Sequence, residues 1–348
     1  MSASRTIWTA VPLLAACWLL WRIIRPGVAG AHRPCSIVVP ARNEATTLPV
    51  LLASLRPELR PGDQLIVVDD SSTDDTAGVA SRGGAVVITA PALPDGWTGK
   101  AWACSTGAAA STTDTLVFLD ADVTVEPGGL DRVLGAHSEG LLSVQPFHVT
   151  VRPYERLSLF FNIVAMMGTE AFTPLGRRRR PSGAFGPCLV TRRDDYDAVG
   201  GHASVRSAVL DDVELARGYL ASGRRVMCLG GKGSLSFRMY PNGLRQLVEG
   251  WSKNIAGGTG KTRVLTVLLV VLWIGLCLQA PWLGWPIYAA VVVQLAWMAR
   301  RIGRFGVLAL LLYPIPLLAF LAIYVRSMYL TYVRKRVSWR GRDLNPSA

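Results

Sequence analysis

The sequence predicts an α/β protein built on a mainly parallel sheet, with apolar segments suited to a membrane at both ends. Three observations carry this prediction. Short β-branched runs alternate with helical segments between residues 36 and 119, acidic clusters follow three of these runs, and uncharged apolar runs flank the whole. Strands that alternate with helices form parallel sheets covered by helices. Only 18% of the 348 residues are charged, which is a low fraction for a soluble chain.

The first apolar run, Ile7–Ile24, contains a single charge, Arg22, and is just long enough to cross a membrane as a helix. Arg25 and Arg33 follow it. Because positive charges collect on the cytoplasmic side of membrane helices, we expect an anchor with the next domain in the cytosol. A cleaved secretory signal is the alternative, since small residues occupy positions 28–31.

The alternating elements begin directly after this linker. Strands are predicted at 36–40, 64–69, 85–88 and 115–119, and helices at 48–55, 74–82 and 100–110. No G-x-G-x-x-G sequence follows the first strand, which argues against a dinucleotide-dependent oxidoreductase.

Polar clusters follow the first, second and fourth strands, at residues 40–44, 69–74 and 120–122. Ligands bind at the carboxyl ends of parallel strands, so the three clusters should share one edge of the sheet. Asp120 and Asp122, one residue apart, suit a hard divalent cation shared with substrate phosphates. Turn formation and helix capping are the simpler explanation for any one cluster taken alone.

Charge and cysteine content narrow the partners and the compartment. The 37 Lys and Arg residues outnumber the 24 Asp and Glu residues, for a net charge of +13. Many of these cations flank apolar runs, which favours anionic lipid headgroups and no nucleic-acid partner. The six cysteines form no C-x-x-C pair and indicate a reduced, cytosolic set, and the four histidines lack zinc-ligand spacing.

The second apolar run, Val264–Ala299, carries no charge and is too long for a single crossing. Pro281, Gly284 and Pro286 interrupt its middle, and Arg300–Arg301 ends it. We therefore expect a helical hairpin that returns to the cytosolic side.

The third apolar run, Phe305–Val325, is broken at its centre by Pro314–Pro316. A full crossing would place the basic tail at Arg334–Arg336 on the outer side, against the usual charge asymmetry. A re-entrant or interfacial hairpin avoids this, and a plain fourth span remains the alternative.

Four motifs in order resemble those of the family 2 glycosyltransferases of the GT-A fold, over residues 34–260. They are the segments 39–44, 67–74, 119–122 and 210–216. Segments 93–103, 250–254 and 339–342 are similar to the membrane-bound branch that includes diaponeurosporenoate glucosyltransferase of carotenoid synthesis and the hopanoid-associated enzymes. The resemblance implies an N-terminal anchor and linker (1–33), a Rossmann-like GT-A domain ending near an interfacial helix (34–260), and a C-terminal hairpin, further apolar segment and basic tail (261–348).

The resemblance also implies a nucleotide-sugar donor, most often UDP-linked, and a set of residues that bind it. These residues are Pro40, Arg42, Glu44, Asp70, Lys100 and Asp120, with Asp122 and Asp120 as ligands of Mg²⁺ or Mn²⁺. An ordinary lysine in the first turn of a helix is the alternative for Lys100.

Asp211 and Asp212 align with the acidic pair that ends in the catalytic base of the family. Asp212 would take the proton of the acceptor while its oxygen attacks the anomeric carbon, and this single displacement inverts that centre. Both residues open a predicted helix at 213–220, so capping of the helix N-terminus is the alternative.

Trp251 and Lys253 are expected in an interfacial helix near the acceptor, with the indole at headgroup level. The chain lacks the Gln/Arg-x-x-Arg-Trp element of processive relatives, which favours a single transfer. Leu157–Met167 fits a second interfacial helix or a core helix equally. Arg177–Arg180 fits a solvated loop, or a site for headgroups or an acceptor carboxylate.

The function expected from the sequence is an inverting glycosyltransferase that moves a sugar from a UDP-sugar to a hydroxyl or carboxyl group of a membrane lipid, such as a carotenoid or other isoprenoid. The expected location is the plasma membrane, multi-pass, with the catalytic domain cytoplasmic. A polyprenyl-phosphate sugar synthase and a non-catalytic membrane scaffold are the alternatives.

Overall fold

The computed structural model describes residues 3–30, 32–258, 262–334, 337–339 and 342–344, with side chains for 8–30, 32–176, 178–255 and 262–334. The expected boundary at 260–261 and tail residues 335, 336, 340 and 341 lie outside the described residues.

The strands are β1 (Cys35–Ala41), β2 (Gln64–Asp69), β3 (Val86–Thr89), β4 (Thr115–Leu119), β5 (Val123–Val125), β6 (Leu141–Gln145), β7 (Phe147–Val149), β8 (Cys188–Arg192), β9 (Val226–Gly230), β10 (Leu235–Phe237), β11 (Gly303–Arg304), β12 (Val337–Trp339) and β13 (Arg342–Leu344). The α-helices are α1 (Ala3–Leu19), α2 (Leu48–Leu55), α3 (Thr76–Arg82), α4 (Gly99–Ala110), α5 (Gly129–Ala136), α6 (Leu159–Gly168), α7 (Arg193–Ala198), α8 (Asp211–Ala221), α9 (Leu244–Gly258), α10 (Val264–Leu283), α11 (Trp285–Ile302), α12 (Val307–Leu311) and α13 (Pro314–Met328).

The chain forms two compact units, each assembled from separate stretches of sequence. We call residues 25–147 and 183–238 the sheet unit, and residues 1–24, 148–182 and 239–347 the helical unit. The stretch 148–182 therefore belongs to the helical unit, although it falls inside the continuous domain expected at 34–260.

The sheet unit contains a seven-stranded sheet in the order β3-β2-β1-β4-β8-β6-β9. Strands β1 to β4 are mutually parallel, β8 runs antiparallel to both β4 and β6, and β9 is parallel to β6. This confirms the predicted α/β class and mainly parallel sheet. The elements predicted between residues 36 and 119 match the observed ones to within a residue or two.

The core of the sheet unit lies between the central strands and helices α4 and α8. Val38 of β1 is in register with Ile66 of β2 and Phe118 of β4, and all three are buried. Gly107 allows α4 to approach β1 closely, since a Cβ there would lie 2.3 Å from a Val38 methyl. This close packing fixes the start of α4, where Lys100 lies.

His32 connects the linker before β1 to two other parts of the sheet unit. Its Nδ1 lies 2.7 Å from Asp131 Oδ1, in α5, and its Nε2 lies 3.0 Å from Asp63 Oδ1, just before β2. Burial opposes the charged form, but the two carboxylates prevail and raise the pKa of His32. A protonated ring donates to both carboxylates at once.

We expect His32→Asn to lower the free energy of unfolding by about 1 kcal/mol at pH 6, and by less at pH 9. Because the folded state raises the pKa of His32, its contribution is complete below the ordinary histidine range and is lost as pH rises through the raised value. Thermal unfolding of the full chain in detergent at both pH values measures this, and an equal loss at both would contradict the ionic connection.

Among the residues that the structure describes, the helical unit contains two helices that are long and apolar enough to cross a membrane, Val264–Leu283 and the helical stretch Pro314–Arg334. The apolar part of α1, Trp8–Leu19, is shorter. Helices α10 and α11 follow one another around Gly284 and pack together, and Trp273 Nε1 donates to Gln294 Oε1 at 2.9 Å. That this pair crosses a membrane stays a prediction. The apolar run Phe305–Val325 forms the short helix α12 and most of α13.

Two stretches that the sequence left open also lie in the helical unit. Most side chains of α6 are buried there, as expected of a core helix. Arg179 of the basic stretch bonds the fully buried carboxylate of Glu170, with Nε 2.6 Å from Oε2. Arg263 and Thr266, at the start of α10, bond the same carboxylate. Arg179 is therefore part of an ion-pair network at that helix end, not of a simple solvated loop.

Candidate active site

The sheet order brings three of the predicted clusters to one edge. Strands β2, β1 and β4 are neighbours and parallel, so their carboxyl ends lie side by side. Pro40 lies near the end of β1, opposite Val68 of β2. The residues that follow these strands, from Arg42 to Asp122, therefore surround a common edge of the sheet, the usual place for ligands in this architecture.

Arg42 and Asp70 form a pair between the first two clusters. Arg42 NH1 donates to the backbone oxygen of Asp70 at 2.7 Å and lies 3.9 Å from its Oδ2. The amide of Asp70 in turn donates to Ala41 O at 2.8 Å. The carboxylate of Asp70 is buried, so this guanidinium holds a desolvated acid at the sheet edge.

Glu44 is buried in the loop between β1 and α2, where its backbone and side chain both form hydrogen bonds. Its amide donates to Thr76 Oγ1 at 2.8 Å, and its carboxylate accepts from the Thr47 hydroxyl. These contacts tie the loop after β1 to α3 and fix the direction of the carboxyl group. The predicted role of Glu44 in nucleotide binding has no direct test in this geometry and stays a prediction.

Lys100 lies in the first turn of α4, which begins after Thr98; the Thr98 hydroxyl accepts from the Ala101 amide. The Lys100 ammonium lies 2.7 Å from Asp120 Oδ1. Burial opposes its charge, but Asp120, Asp211 and Asp212 together raise the pKa of Lys100 well above its usual range. Lys100 is thus a permanent cation in contact with Asp120, and the charges of Asp211 and Asp212 also favour its protonated form.

The pair expected to bind metal lies at the end of β4. The amide of Asp120 donates to Pro187 O at 2.9 Å, which fixes the turn, and Asp122 is half-buried just before β5. Among the described residues, no group of three His, Cys, Asp or Glu side chains could enclose a metal by itself. Two carboxylates without a third protein ligand fit Mg²⁺ or Mn²⁺, which are commonly held by one or two carboxylates and substrate phosphates, and do not fit structural zinc.

Asp211 and Asp212 begin α8, where a helix N-terminus stabilises negative charge. Asp211 is buried and Asp212 is half-buried. Burial and the neighbouring charge of Asp211 raise the pKa of Asp212 to about 6, against the opposing effect of Lys100. A carboxylate with a pKa in this range is a stronger base than an ordinary aspartate and is still ionised at neutral pH.

His202, which the sequence analysis did not single out, lies behind this acidic pair. Its Nε2 lies 3.8 Å from Asp211 Oδ2, and its Nδ1 lies 2.9 Å from the Tyr196 hydroxyl. The His202 amide donates to the same hydroxyl oxygen at 3.0 Å, so the Tyr196 hydroxyl holds both the backbone and the ring of His202 in place. Burial lowers the pKa of His202 to about 4, so the ring is neutral. Its only sequence signal is the preceding Gly200–Gly201 turn.

Gly186 is a second residue that the sequence analysis missed. A Cβ at this position would lie 3.0 Å from Asp212 Oδ2 and 3.2 Å from Lys100 Nζ. Ser143 holds this segment in place, since its hydroxyl accepts from the Phe185 amide at 2.6 Å and donates to Phe185 O at 2.9 Å. The backbone at Gly186 therefore forms one wall between the acid and the lysine.

We expect Gly186→Ala to lower kcat/KM about tenfold or more, because the added methyl displaces Asp212 and Lys100 by tenths of an ångström. Gly218→Ala is the matched control, since Gly218 lies in α8 with Asp212 and nothing lies within 4 Å of its Cβ position. Steady-state kinetics of both variants tests whether the backbone at Gly186 positions Asp212 and Lys100. Equal activity of the two variants would contradict that role.

Trp251 and Lys253, predicted at the acceptor and membrane interface, lie in α9 of the helical unit. Trp251 is buried there, stacked on Phe161 with ring centroids 4.6 Å apart, and its Nε1 donates to Ser158 Oγ at 3.0 Å. Its indole thus packs within the helical unit rather than standing free at its surface. A role of Lys253 at the acceptor stays a prediction.

Comparison with known proteins agrees with this architecture. The family model described as Glycosyl transferase family 2 matches residues 36–200. Proteins named 4,4'-diaponeurosporenoate glycosyltransferase, from Staphylococcus aureus strains USA300 and MRSA252, are 33% identical over 336 residues, covering 91% of this chain and 89% of theirs. This chain therefore belongs to glycosyl transferase family 2 and is a glycosyltransferase.

A solved structure supports the fold. The mannosyltransferase PcManGT from Pyrobaculum calidifontis, in complex with GDP-Man and Mn²⁺, superposes with a TM-score of 0.54 at 18% identity, covering 93% of this chain and 97% of that one. This likeness confirms the predicted GT-A fold.

Proposed function

We propose that this protein is a membrane-bound inverting glycosyltransferase that moves a sugar from a nucleotide-sugar, UDP-linked, to a hydroxyl or carboxyl group of a membrane lipid such as a carotenoid or other isoprenoid. The observation that carries the proposal is the grouping of Asp120, Lys100 and Asp212 near the carboxyl end of β4: the Lys100 ammonium lies 2.7 Å from Asp120 Oδ1, and both that ammonium and Asp212 Oδ2 lie against Gly186.

The donor would bind along this edge. Glu44 and Asp70 would hydrogen-bond the uridine, with Pro40 beside them and Arg42 holding Asp70 in place. Asp122 and Asp120 would hold Mg²⁺ or Mn²⁺, which when bound neutralises the charge of the leaving diphosphate. The ammonium of Lys100 lies beside Asp120 and would add a second positive charge at the diphosphate.

The acceptor would be activated by Asp212. Its raised pKa suits proton removal from a hydroxyl, and the wall at Gly186 limits how far its carboxylate can move. Asp211, backed by the neutral ring of His202, places a second negative charge beside Asp212 and so strengthens it as a base. Attack by the acceptor oxygen opposite the leaving diphosphate would invert the anomeric centre.

The lipid acceptor and the membrane location rest on different support. The lipid acceptor is supported by the relatives that are 33% identical to this chain, whose name contains diaponeurosporenoate, an isoprenoid acid. The helical unit exposes large apolar side chains, including Val264, Leu265 and Leu268 of α10. We place the protein in the plasma membrane as a multi-pass enzyme with its sheet unit in the cytosol, where nucleotide-sugars are available.

The test incubates purified full-length protein in detergent with UDP-glucose, Mn²⁺ and separate pools of isoprenoid alcohols, isoprenoid acids and polyprenyl phosphate. Released UDP and mass-tagged lipid report transfer. A glycolipid from the alcohol or acid pool, formed only with metal, supports the proposal. A product labile to mild acid from polyprenyl phosphate would favour a polyprenyl-phosphate sugar synthase. UDP binding without turnover on any pool would indicate a non-catalytic scaffold.

A further inference from the structure

The hairpin of α10 and α11 provides a length scale for the helical unit. At 1.5 Å per residue, the 20 residues of α10 span about 30 Å and the 18 residues of α11 about 27 Å. Both lengths match the hydrocarbon core of a bilayer. We call the end of the hairpin at Gly284 the tip, and the opposite end, where α10 begins and α11 ends, the base.

The tip and the base differ in chemistry. Trp282 and Trp285 flank the tip with 83% and 81% of their surface exposed, whereas Arg300 and Arg301 lie in the last turn of α11 at the base. Tryptophan collects at membrane–water interfaces, and arginine collects on the cytoplasmic side. The base is therefore the cytoplasmic end.

Helix α1 runs in the same direction as α11. Gln294 Nε2 donates to Leu13 O at 2.7 Å. About two helical turns further along α11, Arg301 NH1 donates to Trp21 O, just after α1, at 2.9 Å. Helices α1 and α11 therefore both run from the tip to the base. This places the start of α1 near the tip and Arg22 near the base.

The next segment turns back toward the tip. After α11 ends, Gly303 and Arg304 pair with His148 and Val149 at the base. The chain then climbs along α11, because Tyr288, in the first turn of α11, donates its hydroxyl to Leu311 O. Tyr288 precedes the end of α11 by about 20 Å of helix, so the chain has climbed roughly two-thirds of the hairpin by residue 311.

Helix α13 descends again from that level. Tyr313, just before it, donates to Cys277 O of α10 at 3.0 Å. Near its other end, Arg326 NH1 donates to Ser252 Oγ at 2.6 Å and Ser327 Oγ donates to Ser252 O at 2.7 Å. Ser252 belongs to α9, which ends shortly before α10 begins at the base. Helices α12 and α13 thus start and finish on the same side.

We infer that the helical unit presents a lipid-facing surface to a phospholipid bilayer with three crossings, α1, α10 and α11, and one re-entrant hairpin, α12–α13. The start of α1 is outside, and the end of α13 is on the cytoplasmic side with Arg22. The re-entrant hairpin α12–α13 also exposes apolar side chains, at Val307, Leu308, Leu312, Ile315 and Leu318. The stretch Pro314–Arg334 is long enough to span, but it begins two-thirds of the way up and so does not cross. The inference rests on the proposed membrane attachment and not on the chemistry of transfer.

Variants of the full chain that each carry one added cysteine test this topology. Intact cells that express each variant are treated with a membrane-impermeant maleimide, before and after permeabilisation. The variants are Ser4→Cys, Trp285→Cys, Arg304→Cys, Leu312→Cys and Tyr332→Cys, with Ser207→Cys as a marker of the sheet unit. The unmodified chain gives the background, since five of its six cysteines are buried.

Ser4→Cys and Trp285→Cys should label in intact cells, while Arg304→Cys, Tyr332→Cys and Ser207→Cys should label only after permeabilisation. Leu312→Cys should resist labelling in both states, because lipid surrounds the hairpin turn. Labelling of Tyr332→Cys in intact cells would overturn the re-entrant hairpin and establish a fourth span. Release of the protein by alkaline carbonate would instead show that membrane attachment itself is wrong. Transfer activity, measured on the same variants, reports the proposed function separately.

Discussion

Asp122→Ala should reduce transfer from the nucleotide-sugar by at least about a thousandfold, close to background. Asp122 and Asp120 are the carboxylates that would hold the divalent cation, and loss of charge neutralisation at a leaving diphosphate costs several kcal/mol of transition-state stabilisation. Lys100 alone, already paired with Asp120, cannot replace a dication there. The measurement is UDP release over a Mn²⁺ titration.

Asp114→Asn is the matched control for this variant. Asp114 is exposed and precedes β4, whereas Asp122 follows it, so the two acids flank the same strand at opposite edges of the sheet. The control should retain wild-type activity. If Asp122→Ala kept more than a tenth of wild-type activity at saturating Mn²⁺, the assignment of Asp122 to the metal would be wrong.

Asp212→Asn should lower kcat by about a hundredfold to ten-thousandfold with a hydroxyl acceptor, the range for removal of a general base. A carboxylic acid acceptor is already ionised at neutral pH, so its oxygen needs no base and the loss should be much smaller. The ratio of the two losses therefore identifies the acceptor class. Asp194→Asn likewise removes an acid from the first turn of a helix, but Asp194 is exposed, so neither rate should change.

The ionisation of Asp212 should make both the transfer rate and the stability of the fold depend on pH, each in a defined direction. Because burial and Asp211 raise the pKa of Asp212 to about 6, the hydroxyl-transfer rate of the wild type should fall as pH drops through that region. In the metal-free protein the charged form destabilises the fold above that pH, by an amount on the order of 1–3 kcal/mol. Asp212→Asn should accordingly raise the unfolding midpoint at pH 8 and not at pH 4. An unfolding midpoint of Asp212→Asn equal to that of the wild type at pH 8 would mean that the charged Asp212 carboxylate does not destabilise the fold.

The sequence predicted the parts of this site that depend on local patterns. Strand β4 and the acids after it follow from one apolar run and its end, and the parallel order of β1, β2 and β4 follows from their alternation with helices. Those two facts suffice to place Asp70 and Asp120 at a common edge.

Other parts depend on long-range packing that no local pattern carries. His202 and Gly186 reach the site through segments far along the chain from β4, next to the antiparallel strand β8, which the alternation rule does not predict. Trp251 fits an interfacial aromatic by composition, but the ring of Phe161 and the hydroxyl of Ser158 bury it. The excursion of residues 148–182 into the helical unit is likewise a property of packing and not of composition.

The most direct test of the metal and nucleotide site is titration calorimetry of UDP into the full-length protein, with Mn²⁺ and again with excess chelator. We expect saturable binding below about 1 mM UDP with Mn²⁺, and its loss with chelator or in the Asp122→Ala variant. Absence of binding at that concentration with Mn²⁺, or equal binding with and without metal, would contradict the account of how this acidic edge works.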